Sequence, residues 1–114
     1  MNANNAELHT ALINCARACE YCATCCLDED DLAMLAECIR VDRDCADICT
    51  LSATLLARES SLATQLLLLC EEACRLCADN CAQHSHHDHC RECAEACRRC
   101  AELCHENHTA IEQV

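Results

Sequence analysis

The chain of 114 residues contains no glycine, proline, tryptophan or phenylalanine, and it contains a single tyrosine. A β-sheet protein of this size needs tight hairpin turns, which favour glycine, asparagine–glycine or proline. Glycine-rich loops that bind phosphate groups are excluded as well. Alanine, leucine, glutamate and arginine are abundant instead, and all of them favour helices. The composition therefore predicts an all-α protein.

Lysine is absent too: the eight basic residues are all arginine, and the 20 acidic residues give a net charge of −12. An acidic protein repels nucleic acids and anionic membranes and attracts cations. Charged residues interrupt every long apolar stretch, so no membrane span is predicted. Residues 1–9 carry neither the basic nor the apolar part of an export signal, so we expect a cytoplasmic location with reduced thiols.

Cysteine is present in large excess, at 17 positions. A disulfide scaffold of the secreted type is disfavoured, because the count is odd and because such scaffolds are rich in loops. Free cysteine also packs as a small apolar side chain, but that role explains neither the number of cysteines nor their regular spacing.

The hydrophobic periodicity divides the chain into four helices joined by short connections. Their predicted bounds are Asn5 to Leu27, Asp30 to Arg58, Ser61 to Gln83 and His87 to Glu112. We expect Asn4 with Glu7, Ser60 and Ser85 to cap helix starts. Short connections make successive helices antiparallel, so the prediction is one domain over residues 1–114, an up-down-up-down four-helix bundle.

The cysteines recur every three or four residues, which keeps them on one face of each helix. Sixteen of them therefore point into a cysteine-lined core, while Cys25 lies one residue off this stripe, at its edge. The candidate metal ligands are Cys15, Cys19, Cys22, Cys25, Cys26, Cys38, Cys45, Cys49, Cys70, Cys74, Cys77, Cys81, Cys90, Cys93, Cys97, Cys100 and Cys104.

This lining favours a soft metal ion. Seven cysteine pairs are spaced i,i+4, where a metal can bridge two sulfurs more easily than a disulfide can. Zn²⁺ takes four ligands and would leave large residual negative charge, and iron–sulfur clusters need cysteine-rich loops. Cu(I) accepts two or three bridging thiolates, so we expect many Cu(I) ions, about one per cysteine.

The two ends of the bundle differ. The connections between helices 1 and 2 and between helices 3 and 4 lie at the cysteine-rich end, where His84, His86, His87 and His89 stand between Cys81 and Cys90. We expect these histidines to contact entering copper. The acidic run 28–31 beside them is interpreted as charge at a helix start. A hydrophobic plug is predicted at the other end, from Leu8, Leu12, Leu55, Leu56, Leu62, Leu66 and Ile111.

Some polar positions stay open. Asp42 follows Cys38 by four residues, so its carboxylate either faces the core as a ligand or turns outward beside Arg40 or Arg43. His9, His105 and His108 are predicted to lie at the surface.

The segments CIRVDRDCADIC at 38–49 and CAQHSHHDHCRECAEAC at 81–97, with the paired cysteines of all four helices, resemble the bacterial copper storage proteins, cysteine-lined bundles that hold many Cu(I) ions. Because residues 1–9 lack the features of an export signal, the chain resembles the cytosolic branch of that family. The resemblance implies histidine ligands at the open end, at His84, His87 and His89, and a homotetramer. The outward stripe of Leu69, Ala73 and Leu76 also suggests an oligomer surface.

The sequence therefore predicts high-capacity Cu(I) storage and no enzymatic activity. The alternatives are a copper chaperone with few exchangeable ions, a zinc buffer and a redox sensor. The copper donor and acceptor are not identified by the sequence.

Overall fold

A computed structural model describes residues 2–112 of the chain, with side chains through His108. Four long helices make up the bundle: α1 (Ala3–Leu27), α2 (Ala36–Ala57), α3 (Ala63–Ala82) and α4 (Asp88–Glu112). Each helix packs against its neighbours in chain order, and α4 closes the ring against α1. The molecule measures 49 × 21 × 20 Å. The predicted four-helix bundle is confirmed, and no helix in the described part is long and apolar enough to cross a membrane.

The connection between α1 and α2 differs from the prediction. The chain does not enter helix 2 at Asp30; it passes through a 3-10 helix, Leu32–Leu35, before α2 begins. Leu35 is fully buried and anchors this turn to the core. The backbone N–H of Asp28 donates to the carbonyls of Cys25 and Cys26 and ends α1. The acidic run is therefore a structured connection rather than the first turn of a helix.

The helix caps also differ in part. Asn2, rather than Asn4, caps α1, because its Oδ1 accepts a hydrogen bond of 2.8 Å from the Asn5 N–H. Ser60 does not cap α3 as predicted: the N-cap residue is Leu62, without a side-chain cap bond, and the Ser60 Oγ accepts from the Leu62 N–H, before the helix begins. Ser85 is too far from α4, which begins at Asp88; the His87 carbonyl accepts there from the N–H groups of Cys90 and Arg91.

Helix α2 ends in a left-handed residue that is not glycine. Glu59 has φ 54°, and the N–H groups of Glu59 and Ser60 donate to the carbonyls of Leu56 and Leu55. This pair of bonds closes a Schellman motif, in which glycine usually occupies the left-handed position. A chain without glycine makes this turn with a β-carbon in an unfavourable place.

The predicted hydrophobic plug is present at the end of the bundle opposite the acidic residues 28–31, but α3 contributes a different leucine from the one predicted. Leu8, Leu12 and Leu67 are buried almost completely, and Leu56 and Leu103 join them. Leu67 takes the place predicted for Leu66, which is only half-buried, and Leu62 is exposed. Four consecutive leucines at 66–69 cannot all face the core, and the first turn of α3 decides which one does. The side chain of Ile111 lies outside the described residues.

Candidate metal centre

Sixteen thiols fill the axis of the bundle. Each of them has no exposed surface, and all 17 cysteines are free thiols. Of the i,i+4 pairs, Cys45 with Cys49 places its sulfurs 3.8 Å apart, and Cys70 with Cys74 places them 3.9 Å apart. The predicted inward stripes are confirmed. Cys25 is half-buried, beside Tyr21 rather than on the stripe.

Contacts between helices are as close as contacts along a helix. The sulfurs of Cys38 and Cys81 lie 3.3 Å apart, and the Cys15 sulfur lies 3.6 Å from that of Cys97. Ligand atoms thereby gather in fours, all within 4.8 Å of one another. Such groups include Cys15–Cys49–Cys74–Cys100, Cys15–Cys19–Cys45–Cys97, Cys19–Cys77–Cys93–Cys97, Cys22–Cys38–Asp42–Cys81 and Cys22–Cys26–His89–Cys90.

Neighbouring groups of four share sulfurs. Cys15, Cys19, Cys22 and Cys97 each belong to two of the groups named above. A shared thiolate can bridge two metal ions. Separate tetrahedral sites would need no shared thiolates, because each ion would have four ligands of its own. The arrangement is therefore one continuous column of sulfur ligands along the axis rather than a few separate metal sites.

Asp42 faces this column and does not turn outward beside Arg40 or Arg43. Its side chain is completely buried. The Oδ1 atom lies 3.1 Å from the Cys77 sulfur and 3.3 Å from the sulfurs of Cys81 and Cys93. Burial, together with the nearby charges of Cys93 and Cys38, raises the pKa of Asp42 to about 8. The carboxyl group is therefore protonated at neutral pH while no cation is present.

The buried thiols do not titrate alike. Hydrogen bonds from Cys22 and Cys81 to the Cys38 sulfur lower the pKa of Cys38 to about 3. Burial raises the pKa of Cys26, nearer the end of the column, to about 12. Protons are thus shared unequally between neighbouring sulfurs. A cation that enters the column has to displace those protons, because a thiolate rather than a thiol is the metal ligand.

The column ends at a group of four residues that we call the mouth: Cys22, Cys26, His89 and Cys90. The His89 Nδ1 atom lies 3.4 Å from the Cys22 sulfur and 3.5 Å from the Cys90 sulfur. Its Nε2 atom lies 3.9 Å from a Glu29 carboxylate oxygen, beyond hydrogen-bond distance. Of the four histidines predicted at the open end, His89 is the one whose ring nitrogen points at the thiols.

His87 is held differently. Its Nδ1 atom contacts a Glu29 carboxylate oxygen, and its Nε2 atom lies 3.0 Å from the Asp31 Oδ1. The hydrogen bond to Asp31 raises the pKa of His87. The ring stacks on His89, with centroids 5.3 Å apart. The acidic run was interpreted only as helix-start charge, but the carboxylates of Glu29 and Asp31 contact His87.

His84 and His86 lie farther out. His86 is exposed, and its Nε2 atom is 3.5 Å from an Asp31 carboxylate oxygen. His84 is half-buried, with its ring centroid 6.4 Å from that of His86. The four histidines therefore lie together as predicted. Two of them, His86 and His87, contact carboxylates of the connection between α1 and α2.

The prediction that His108 lies at the surface is wrong. Its side chain is 7% exposed, and its Nε2 atom lies 2.6 Å from the Glu71 Oε1. His108 follows Cys104 by four residues and so continues the inward stripe of α4, a spacing that the sequence already contained. His105 is exposed as predicted but also contacts Glu71, at 3.2 Å.

Almost the whole chain is matched by one protein family. The model of the copper storage protein family covers residues 1–109. The uncharacterized cysteine-rich protein YhjQ of Bacillus subtilis is 44% identical over 84 residues, which are 74% of this chain and 77% of that protein.

Two solved structures place the fold in the same family. A copper storage protein from Streptomyces lividans, loaded with 10 copper equivalents, is 42% identical, with a TM-score of 0.87 over 90% of this chain and 82% of that chain. The Cu(I)-bound copper storage protein BsCsp3 is 40% identical, with a TM-score of 0.86 over 90% of this chain and 96% of that chain. The cysteine-lined bundle described above therefore belongs to a member of the copper storage protein family.

Proposed function

We propose that this protein stores Cu(I) at high capacity in the cytoplasm, with about one ion per core thiolate. The observation that carries the proposal is the continuous column of shared sulfurs, in which Cys15, Cys19, Cys22 and Cys97 each serve two groups of four ligands. The relatives support it: one is bound to Cu(I), and another holds 10 copper equivalents.

Charge favours Cu(I) over Zn²⁺ in this core. A buried ion is costly unless its charge is compensated. One Cu⁺ per thiolate is neutral, so a filled column carries almost no net charge. Zn²⁺ held by four thiolates keeps a charge of −2 at each site, which is unfavourable where all the sulfurs are buried. Iron–sulfur clusters are disfavoured because the ligands lie on straight helices rather than on wrapping loops.

Copper enters at the mouth in this proposal. His89 offers its Nδ1 beside Cys22 and Cys90 and passes the ion to the sulfurs below. Asp42 lies one step deeper and acts as an oxygen ligand once an arriving ion displaces its proton. His84, His86 and His87 gather cations outside the thiols. Cys25, which the sequence analysis includes among the candidate ligands, lies beside Tyr21 rather than on the column, so the proposal places no copper on it.

Storage explains the geometry better than transfer or catalysis. A chaperone needs one exposed, exchangeable site, whereas the core sulfurs have no exposed surface. An enzyme needs an open coordination position at its metal, and a saturated thiolate column offers none. We therefore assign no catalytic residue.

The assembly that we propose is a homotetramer, as in the family that the sequence resembles. Leu69 and Leu76 are half-exposed on α3, and with Ala73 they border a groove that Val41 and Ile48 of α2 complete. Contiguous apolar surface of this kind is characteristic of a contact between protein chains. Light scattering after size exclusion measures the state directly: Leu69→Glu with Leu76→Glu is expected to give a smaller species that still binds copper.

An anaerobic Cu(I) titration of the reduced protein, with a competing chelator that reports free copper, tests storage. Tight uptake to about one Cu(I) per cysteine is expected. Saturation after one or two ions would favour a chaperone, and preferential retention of Zn²⁺ in a mixed titration would favour a zinc buffer. Specific disulfides after mild oxidation, without copper uptake, would favour a redox sensor.

A further inference from the structure

A second group of potential metal ligands lies at the plug end, away from the mouth. It consists of Glu71 on α3 and His105 and His108 on α4. Both imidazoles address the same carboxylate oxygen: the Glu71 Oε1 is 3.2 Å from the His105 Nδ1 and 2.6 Å from the His108 Nε2. The storage column uses none of these three residues.

Two of the three side chains are mostly buried, which distinguishes this group from a chance contact between surface residues. Glu71 and His108 have exposed side-chain fractions of 16% and 7%, while that of His105 is 57%. Two ligands are therefore fixed in the protein, and the third opens the site to solvent. Among the side chains that the structure describes, the His108 Nδ1 atom meets no hydrogen-bond partner, while its Nε2 atom is held by Glu71.

Arg75 fixes the carboxylate from the other side. Its guanidinium donates two hydrogen bonds to the Glu71 Oε2, of 2.7 and 2.9 Å, and leaves Oε1 to the histidines. Hydrogen-bond partners of this kind are typical of a ligating carboxylate.

Two imidazoles and one carboxylate suit a different ion from the one in the core. Soft Cu(I) prefers thiolates, whereas imidazole with carboxylate suits borderline divalent ions such as Zn²⁺. Zn²⁺ binds these ligands at about 2.0–2.2 Å, so two ligand atoms of one tetrahedral ion lie roughly 3.3–3.6 Å apart. The His105 contact of 3.2 Å is close to that separation. The His108 contact of 2.6 Å is a hydrogen bond that opens by up to about 1 Å when an ion replaces its proton.

We propose that Glu71, His105 and His108 form a site for one divalent borderline cation, with Zn²⁺ as its probe, on the outside of the plug end. The site spans α3 and α4, so an ion there ties these helices together beyond the last core thiols. It is separate from copper storage, because both imidazoles and the carboxylate lie outside the sulfur column.

The test uses the Cu(I)-loaded protein, in which copper already occupies the core thiols, and Zn²⁺ as the titrant. Imidazole ¹⁵N resonances, assigned to each histidine, separate this site from the histidines at the mouth. We expect the His105 and His108 rings to shift together as one equivalent of Zn²⁺ binds. Glu71→Gln and His105→Asn should each weaken that binding at least about tenfold, as loss of a ligand or its support does.

Glu72→Gln is the matched control, because Glu72 is an exposed neighbour on the same helix turn; it should leave the affinity unchanged. Zn²⁺ that shifts only the mouth histidines would overturn the proposal, and so would a shift of His105 without His108. Binding that survives Glu71→Gln would show that the triad is a hydrogen-bonded helix contact only. Circular dichroism of each variant confirms that the helices are retained.

Discussion

The carboxyl Oδ1 of Asp42 lies 3.1 Å from the sulfur of Cys77, inside a column otherwise made of thiols. The same oxygen is within 3.3 Å of two more sulfurs, from Cys81 and Cys93. An ionised carboxylate in this place would face sulfurs with no counter-ion, and burial raises its pKa to about 8 accordingly. Without metal, the group stays neutral; with Cu(I) beside it, the anion gains a partner.

Asp42→Asn tests the protonation of this group in the copper-free protein. The pKa of Asp42 is raised on folding, so the unfolded chain releases its proton first, and wild-type stability falls as pH rises from about 4 to 8. Asparagine removes that loss. The stability of Asp42→Asn relative to wild type should therefore increase by up to about 1.4 kcal/mol per pH unit in this range.

Urea unfolding of the reduced apo proteins, followed by circular dichroism at pH 4.5, 6 and 7.5, measures this difference. Asp44→Asn is the control, since Asp44 is exposed on the same helix. A difference between Asp42→Asn and wild type that does not change with pH would contradict the raised pKa.

Asp31→Asn should lower the pKa of His87. The Asp31 carboxylate lies 3.0 Å from the His87 Nε2 and favours the charged imidazole. His87 therefore stabilises the fold fully below its ordinary pKa, and this contribution is lost as pH rises through the raised value. NMR titration of the assigned ring in the apo protein measures the midpoint.

Asp30→Asn serves as the control for that experiment, because Asp30 is an exposed neighbour in the same connection. An unchanged His87 midpoint in Asp31→Asn, or an equal change in Asp30→Asn, would show that general acidity rather than the direct contact sets the charge of the ring.

Cys74→Ser should reduce copper capacity, and Cys25→Ser should not. The Cys74 sulfur lies 3.7 Å from those of both Cys45 and Cys49, so its thiolate is placed to bridge ions. Serine at this position is expected to remove roughly one or two Cu(I) ions, since a bridging thiolate contacts more than one ion. Copper per protein after gel filtration is the measurement, and equal capacity in the two variants would count against the column of shared sulfurs.

Glu59→Gly should stabilise the protein. Glu59 has φ 54°, a left-handed conformation that places its β-carbon close to the following carbonyl oxygen. Glycine relieves that contact but makes the unfolded chain more flexible, so the net gain is about 1 kcal/mol. Chemical unfolding compares the variant with Glu59→Ala, which keeps the β-carbon and should show no such gain.

Much of the fold was predictable because helix formation and the cysteine spacing repeat over many residues. All four helices and the sixteen inward thiols followed from periodicity alone, since each helix repeats the spacing over three to five cysteines. The inward face of α3 at its start was not predictable, because four successive leucines do not show which of them faces the core. In the structure, Leu67 rather than Leu66 packs inward.

The contacts at the two ends of the bundle depend on helices that are distant in sequence. Glu29 and Asp31 meet His87 only because the first and third connections lie side by side. Glu71 and His108 meet across α3 and α4. A local sequence pattern does not predict contacts between residues so far apart in the chain. The spacing of four residues between Cys104 and His108 did indicate that the His108 side chain points inward.

The leucine plug gives the store an order. A column sealed by Leu8, Leu12 and Leu67 has its opening at the far end, beside His89. If copper enters at the mouth, as we propose, an ion deep in the column leaves only past those nearer His89. The store would then empty in the reverse of the order in which it filled.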